Sequence, residues 1–289
     1  MPNANDATIV KDAPVANDHP MPTMRPLTLL FTCAVCVAAL PVFAAPPPTV
    51  FIEQMTSPEL AAAIRGGKTT IIVPIGGTEQ NGPHMTLGKH NRRVEALSGK
   101  IAIALGNALV APVIAYVPEG ALAPPTGHMR FAGTITVPAS VYRQVLEAAA
   151  RSFKVHGFHD IVFLGDHGDY QSDDRTVATA LSREWAATPI RVHAIREYYE
   201  VASTWFAQQL TARGFTEAEI GRHAGLPDTA LTLALAPGQV RSDLLRNALP
   251  PGSGVIGDPR RATAELGQIG VDAIVAQTVA AIQKATRRP

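Results

Sequence analysis

The chain has 289 residues, of which 46% are hydrophobic and 17% charged, and its formal net charge is +1. This length suits one large α/β domain or two small ones, and the composition is that of a globular protein rather than a disordered one. Lys and Arg cluster only in pairs, at Arg92-Arg93, Arg260-Arg261 and Arg287-Arg288. We expect these pairs to lie on solvated surface, and so small a net charge argues against nucleic acid as a partner.

Residues 1–44 are predicted to form an N-terminal extension and a secretory signal peptide. The apolar stretch 27–40 follows Arg25 and has about the length of a signal-peptide core, and we expect cleavage after Ala44. The alternative is an uncleaved membrane anchor. Cleavage would give an exported, periplasmic protein that has no membrane association.

Both cysteines, Cys33 and Cys36, lie inside this apolar stretch. Their spacing matches a redox motif, but a hydrophobic leader is an unsuitable place for one. After cleavage the chain would hold no cysteine and no disulfide. Nitrogen and oxygen atoms would therefore be the ligands of any metal that the mature protein binds.

Residues 45–50 are predicted to be a linker and residues 51–289 a single folded domain. Strands are predicted to end near Ile75 and to cover 108–115, 161–164 and 190–195. Helices are predicted over 92–105, 138–157, 172–187, 198–212, 228–236 and 261–286. Strands and helices that alternate in this way indicate an α/β fold with a parallel sheet and helices on both of its faces.

A loop over residues 118–134 is long for a compact domain, and such loops are usually functional. His128 lies in this loop and is a candidate substrate contact. A plain surface role is equally open for it.

Residues that can bind metal follow two of the predicted buried strands. Glu79 and Asn81 come after the strand that ends near Ile75, and the sequence Asp166-His167-Gly168-Asp169 follows the strand 161–164. For Asp166, capping of the next helix is the favoured interpretation. His90 near a helix start and His223 near another add two imidazoles. Imidazoles with carboxylates suit Zn²⁺ or Mn²⁺ better than Ca²⁺, which prefers oxygen ligands alone.

Residues 74–84 read P-I-G-G-T-E-Q-N-G-P-H, which resembles the hallmark of the creatininase (creatinine amidohydrolase) family. Segments at 131–135, 165–169 and 223–229 resemble three further family motifs in the same order. The resemblance implies a three-layer α/β/α fold with a mainly parallel central sheet, assembled into a homo-oligomer. It also implies a two-metal site, with Zn²⁺ or Mn²⁺, that hydrolyses a C–N bond of a small cyclic or linear amide.

By position in these motifs, Glu79 and His167 would bind one metal ion and Asp169 the other, while His223 would be the catalytic histidine. Two positions depart from the family pattern. Asn81 replaces a histidine ligand and coordinates weakly, and His90 replaces a bridging aspartate that a neutral imidazole cannot imitate. One ion held by Glu79, His90 and His167, with Asp169 nearby, is therefore favoured over two.

The leading hypothesis is a creatininase-like, metal-dependent amidohydrolase. In it Asp169 positions or deprotonates a water activated by the metal, and His223 protonates the leaving nitrogen. One alternative is a non-catalytic protein that binds a metal or a small ligand on the same fold. Another is a lactone or ester hydrolase, because water attacks both kinds of carbonyl in the same way.

Overall fold

The structure, a computed structural model, describes residues 49–287, which lie within one compact unit spanning Ala44–Pro289. The predicted signal peptide, Cys33, Cys36 and most of the predicted linker lie outside the described residues.

Four parallel strands form the central sheet: β1 (Thr70–Ile75), β2 (Ala108–Val110), β3 (Asp160–Gly165) and β4 (Arg191–Ala194). Their order across the sheet is β2-β1-β3-β4. Every residue of β1 and β3 is buried, as expected for central strands of a parallel sheet that is covered on both faces. The predicted α/β fold with a parallel sheet is confirmed.

Helices surround this sheet and complete the domain. They are α1 (Ser57–Arg65), α2 (Lys89–Leu105), α3 (Ala139–Val155), α4 (Gln171–Glu184), α5 (Arg196–Glu200), α6 (Phe206–Thr211), α7 (Glu217–Ile220), α8 (Leu226–Leu235), α9 (Ser242–Leu245) and α10 (Ala264–Thr286). Short 3-10 turns cover Ile52–Gln54, Gly127–Arg130 and Pro237–Gln239, and a π-helical turn covers Val201–Trp205.

Two hydrophobic cores form, one on each face of the sheet. Because side chains of a strand alternate between faces, Ile71 and Val73 pack with α3 and α4, whereas Ile72 packs with α2, α8 and α10. The result is three layers, α/β/α. Helix α10 is long and apolar enough to cross a bilayer by length and composition. Its buried apolar side chains, however, belong to the hydrophobic core that contains Ile72.

Two elements differ from the sequence prediction. Strand β2 stops at Val110 instead of 115, because Pro112 has no N–H for the ladder, although the Ile114 N–H still donates to the Pro74 carbonyl at 2.9 Å. The predicted single helix 198–212 is instead α5 and α6 joined by the π-helical turn Val201–Trp205. Such turns often occur at functional sites.

Helix α1 was not predicted, although its sequence carries a start signal. Thr56 and Glu59 form a capping box at its first turn, and Pro58 follows Ser57. The sequence therefore carried a helix start signal four residues before the first large apolar side chain of the helix.

The sheet places the candidate site at a topological switch point. The chain leaves β1 for β2 on one side and later returns to β3 on the other side. Ile75 and Gly165 are paired at the carboxyl ends of β1 and β3. The loops that follow these two strands therefore emerge side by side, which is where open α/β sheets bind ligands.

Candidate metal centre

Glu79 is the centre of the site, and its side chain has no exposed surface. Its Oε1 lies 2.7 Å from His90 Nε2, 3.4 Å from Lys89 Nζ and 3.7 Å from His223 Nδ1. Burial alone would raise the pKa of Glu79, but Lys89 and His90 outweigh it and hold that pKa well below its usual value. Glu79 is therefore an ionised carboxylate in the protein interior.

The other oxygen of Glu79, Oε2, faces two further imidazoles. His128 Nε2 lies 3.1 Å away and His167 Nε2 lies 3.5 Å away. Four imidazoles therefore converge on one carboxylate. They form two groups whose ligand atoms lie within 4.8 Å of one another, and both groups contain Glu79: the first adds His128 and His223, the second His90 and His167.

His90 is held between two carboxylates. Its Nε2 lies 2.7 Å from Glu79 Oε1, and its Nδ1 lies 2.6 Å from Asp166 Oδ2. Ionised carboxylates only accept hydrogen bonds, so both ring nitrogens act as donors in this arrangement. His90 would have to give up its bond to Glu79 before it could bind a metal, although the structure does bring it beside Glu79 and His167 as expected.

Asp166 does not cap a helix, which corrects the sequence interpretation. Helix α4 begins at Gln171, too far along the chain for Asp166 to reach its first turn, and Tyr170 takes the cap position without a side-chain bond. Asp166 is buried and accepts hydrogen bonds from Tyr198 Oη at 2.7 Å and Arg93 Nε at 2.9 Å. It is the outer partner that orients His90, as carboxylates often do behind metal-site histidines.

Arg93 corrects a second prediction, because it is buried rather than solvated. Its guanidinium bridges Asp166 and Asp228, with Nη1 lying 2.7 Å from Asp228 Oδ1. Lys89 is also buried, and its Nζ lies 3.1 Å from Asp228 Oδ2. Burial would raise the pKa of Asp228, but Lys89 and Arg93 lower it well below its usual value. Two fixed cations thus balance the carboxylates behind the site.

His223 presents one free nitrogen to the site. Its Nε2 lies 2.9 Å from the Gln80 carbonyl, to which it donates, so Nδ1 is left to face Glu79. Burial, followed by the charge on Lys89, lowers the pKa of His223 to about 3. The next residue, Ala224, has φ of 52°, a left-handed conformation that is strained for a residue with a side chain and common at functional sites.

The pKa values of His128 and His167 are shifted in opposite directions. Burial lowers the pKa of His128. The pKa of His167 rises to about 9, because Glu79, Glu119 and Asp169 outweigh the effect of burial. His167 Nδ1 also accepts a weak 3.3 Å bond from the Asp169 N–H.

The structure gives Asn81 and Asp169 other surroundings. The Asn81 Nδ2 donates to the carbonyls of Glu79 at 2.9 Å and Thr86 at 3.0 Å, so its amide braces the loop. Asp169 is exposed, and its carboxylate, like that of the buried Glu119, belongs to neither group of converging ligand atoms among the described residues. Asp169 contacts His167 through its backbone N and not through its carboxylate.

Sequence reasoning did not identify Glu119 or Lys89. Glu119 lies at the start of the predicted functional loop 118–134 and is 1% exposed. Burial, which is the largest effect, raises its pKa to about 8. The signal in the sequence that could have identified Glu119 is its position directly after the apolar residues Tyr116-Val117-Pro118. For Lys89, no local pattern distinguishes it from an ordinary helix-start lysine.

A cavity of about 350 Å³ opens beside these residues, a size that suits a small ligand. His90, His167 and His223 line its polar side, and Arg222 also borders it. Ala202 and Ser203 of the π-helical turn also line it. The converging imidazoles can therefore reach a molecule bound in the cavity.

The side chains at the site fit a divalent cation. Glu79 Oε2 and both oxygens of Glu119 are buried without a hydrogen-bond partner in the described part of the chain. Unpaired buried carboxylate oxygens are costly, and a cation is the usual compensation. Two carboxylates and an imidazole at His167 form a set of nitrogen and oxygen ligands that Zn²⁺ and Mn²⁺ accept.

A parallel sheet covered on both faces, with imidazoles and carboxylates gathered at its switch point, defines a three-layer α/β protein that has a candidate metal centre. A family model described as creatinine amidohydrolase matches residues 53–282. The chain therefore belongs to the creatininase family, and the resemblance found in residues 74–84 is confirmed.

Two relatives are hydrolases of C–N bonds by name. The creatinine amidohydrolase of Pseudomonas putida is 26% identical over 203 residues, which cover 68% of this chain and 75% of that protein. The mycofactocin precursor peptide peptidase of Mycolicibacterium smegmatis is 26% identical over 221 residues, which cover 68% of this chain and 78% of that protein.

Solved creatininase structures share the fold. A mutant creatininase described as the Zn-Zn type has a TM-score of 0.68 at 24% identity, over 83% of this chain and 99% of that one. A creatininase described with Mn has a TM-score of 0.67 at 23% identity, over 83% of this chain and 100% of that one. These likenesses concern the fold, and the metals are those of the named proteins.

Proposed function

We propose that this protein is a metal-dependent amidohydrolase that cleaves a C–N bond of a small cyclic or linear amide. The observation that carries the proposal is the convergence of four imidazoles on the buried carboxylate of Glu79, beside a cavity of small-molecule size. Membership of the creatininase family supports the reaction class, because the two named relatives act on an amide in a ring and on a peptide.

Glu79 and His167 would hold one Zn²⁺ or Mn²⁺ ion. When bound, such an ion polarises a carbonyl and lowers the pKa of water, which is the chemistry that amide hydrolysis requires. Lys89 and His90 keep Glu79 ionised through its Oε1 and leave its Oε2 directed toward His167. The chain thereby presents a charged ligand atom in a fixed orientation.

His223 would transfer the proton. Its Nε2–H is fixed on the Gln80 carbonyl, so the neutral Nδ1 faces the site. Because the pKa of His223 is about 3, Nδ1 would hold a proton from the attacking water only briefly. The same nitrogen can then deliver that proton to the leaving amine. His128, which is 22% exposed and adjacent to Glu79 Oε2, would contact the substrate, and the exposed Asp169 would orient water.

Measurements of metal content and turnover test this proposal. The purified protein is expected to contain Zn²⁺ or Mn²⁺ and to hydrolyse at least one member of a panel of cyclic amides, linear amides and short peptides. His223→Ala should abolish turnover while Zn²⁺ affinity changes by less than about tenfold. His193→Ala is the matched control, because His193 on β4 pairs with Asp160, which lies at the end of β3 away from the site. A protein that stays metal-free and inactive after addition of either ion would refute the proposal.

One observation favours a second candidate, a non-catalytic protein that binds a metal or a small ligand. His90 has both nitrogens engaged by carboxylates, and Asn81 uses its amide to brace a loop, so two positions expected as ligands are committed elsewhere. Tight Zn²⁺ binding without turnover of amides, lactones or esters would select this candidate. Turnover of lactones or esters alone would instead indicate an ester hydrolase.

We also propose that the chain is exported to the periplasm and acts as a homo-oligomer on a small-molecule substrate. The apolar stretch 27–40 and the family resemblance support these two proposals respectively. Amino-terminal sequencing of the exported protein is expected to begin at Ala45. Sedimentation equilibrium of the mature protein is expected to give a multiple of the chain mass, and a monomer would contradict the second proposal.

A further inference from the structure

Glu119 is a buried carboxyl group that lacks a hydrogen-bond partner among the described residues. Its side chain has no exposed surface, and neither oxygen makes a hydrogen bond within the described residues. Leaving a carboxylate in this state is unfavourable, because burial removes water without replacing its hydrogen bonds. A buried group of this kind requires an explanation, and the site beside it supplies one.

The nearest cationic group to Glu119 is His167, at a distance too long for a hydrogen bond. His167 Nε2 lies 3.7 Å from Glu119 Oε2 and 3.5 Å from Glu79 Oε2. Hydrogen bonds of this type measure about 2.7–3.2 Å. Two ligands bound tetrahedrally to one ion at about 2.1 Å lie about 3.4 Å apart. Both distances therefore match neighbouring metal ligands better than hydrogen-bonded partners.

The cations already present do not occupy this side of Glu79. Lys89 Nζ and His90 Nε2 both contact Oε1, and Lys89 is also engaged by Asp228. The remaining oxygens, Glu79 Oε2 and those of Glu119, lie instead on the side of His167 Nε2, and the uncharged His128 has its Nε2 3.1 Å from Glu79 Oε2. The carboxyl oxygens that lack a hydrogen bond therefore gather on the side of the site where His167 Nε2 lies.

The backbone is shaped to admit Glu119. At Gly77, two residues after the end of β1, a Cβ atom would lie 2.5 Å from Glu119 Oε1, so a side chain at this position would displace the Glu119 carboxyl. The Glu119 N–H donates to Thr136 Oγ1 at 2.9 Å, which fixes the start of the long loop. Glycine and loop together bring a third carboxylate-bearing segment to the ends of β1 and β3.

We propose that Glu119 is a ligand of the divalent cation and completes a set formed with Glu79 Oε2 and His167 Nε2. This inference rests on the proposed metal-dependent function. In this set Glu119 is the carboxylate ligand that the family motif would place at the exposed Asp169. His90 is not a ligand and instead donates a hydrogen bond to Glu79. The cation site would then be built from three loops instead of two.

Zn²⁺ titration of the metal-free protein by calorimetry tests the assignment. Glu119→Gln keeps the size of the side chain and removes its charge. Because a direct ligand is lost, Zn²⁺ affinity should fall by more than the about 10- to 100-fold typical of outer-shell changes. Asp160→Asn is the matched control, since Asp160 is buried, pairs with His193 and lies at the other end of β3. The control should bind Zn²⁺ as the wild type does.

Thermal unfolding separates a ligand from a structural residue. Without metal, Glu119→Gln should unfold at the same temperature as the wild type or a higher one, because it removes an unpaired buried carboxylate. With Zn²⁺ it should gain less stability than the wild type gains. If this variant does not fold, Glu119→Asp provides the same comparison with a shorter carboxylate, and it should bind Zn²⁺ more weakly than the wild type.

The outcomes distinguish the two proposals. Equal Zn²⁺ affinity in the wild type and in the folded Glu119 variant would overturn the Glu119 assignment while leaving the proposed function intact. A wild type that binds neither Zn²⁺ nor Mn²⁺ would overturn both. Loss of affinity in Asp160→Asn equal to that in the Glu119 variant would also overturn the assignment, because the effect would then be one of general stability.

Discussion

Arg92 and Arg93 are neighbours in the sequence but have opposite surroundings, and replacing each by leucine separates the two effects. Arg93 is buried and its guanidinium contacts Asp166 Oδ2 at 2.8 Å and Asp228 Oδ1 at 2.7 Å. Arg92 is 60% exposed and contacts Glu95 one helical turn away. We expect Arg93→Leu to be strongly destabilising and Arg92→Leu to have little effect.

The magnitude follows from what each substitution leaves behind. Arg93→Leu leaves two ionised carboxylates, of which Asp166 keeps His90 and Tyr198 and Asp228 keeps Lys89. Breaking a buried ion pair by removing one partner costs about 3–5 kcal/mol, because the remaining charge is uncompensated. An exposed pair at this spacing on a helix contributes about 0.2–0.5 kcal/mol. The expected difference between the variants is therefore roughly tenfold in free energy.

Urea unfolding in the presence of a chelator measures this difference without a contribution from bound metal. Arg93 contributes to lowering the pKa of both Asp166 and Asp228. The stability from a lowered carboxyl pKa is present above the unfolded value, near 3.8, and is lost as the pH falls through the folded value. The deficit of Arg93→Leu should therefore be complete at pH 7 and should shrink below about pH 4. A cost below about 1 kcal/mol, or an equal cost for Arg92→Leu, would refute the reasoning.

Three further predictions concern the site and the core. Asn81→Ala should cost about 1–3 kcal/mol, because two buried carbonyls lose their donor, while Zn²⁺ affinity measured by calorimetry changes by less than about tenfold. Gly267→Ala should lower the free energy of unfolding in urea by at least about 1–3 kcal/mol, since its Cβ would lie against the Ala230 carbonyl. Gly238→Ala is the control and should change that free energy by no more than about 0.5 kcal/mol, because a Cβ there would meet open space. The metal-free wild type should lose stability as the pH rises from 4.5 to about 8, because folded Glu119 retains its proton and the unfolded chain releases it. Glu119→Gln should lack that decline, which reaches at most about 1.4 kcal/mol per pH unit, and an identical pH profile for the variant would contradict the assigned cause.

The sequence determined the sheet and one part of the site. The apolar runs before Glu79 and His167 indicate two buried strands, and strands that alternate with helices form a parallel sheet. Carboxyl ends of parallel strands lie at one edge, so Glu79 and His167 had to come close together. Local pattern and topology are sufficient for that inference, which requires no knowledge of side-chain contacts.

Tertiary structure alone decided the remaining part of the site. Arg92 and Arg93 differ by one residue, which on a helix is a rotation of about 100°, and only packing determines which of them faces the core. Asp166 could be assigned to His90 instead of a helix cap only when the helix start at Gln171 was known. Glu119 lies in a loop without periodicity, and its approach to His167 depends on the absence of a Cβ at Gly77, which is a contact between segments distant in sequence.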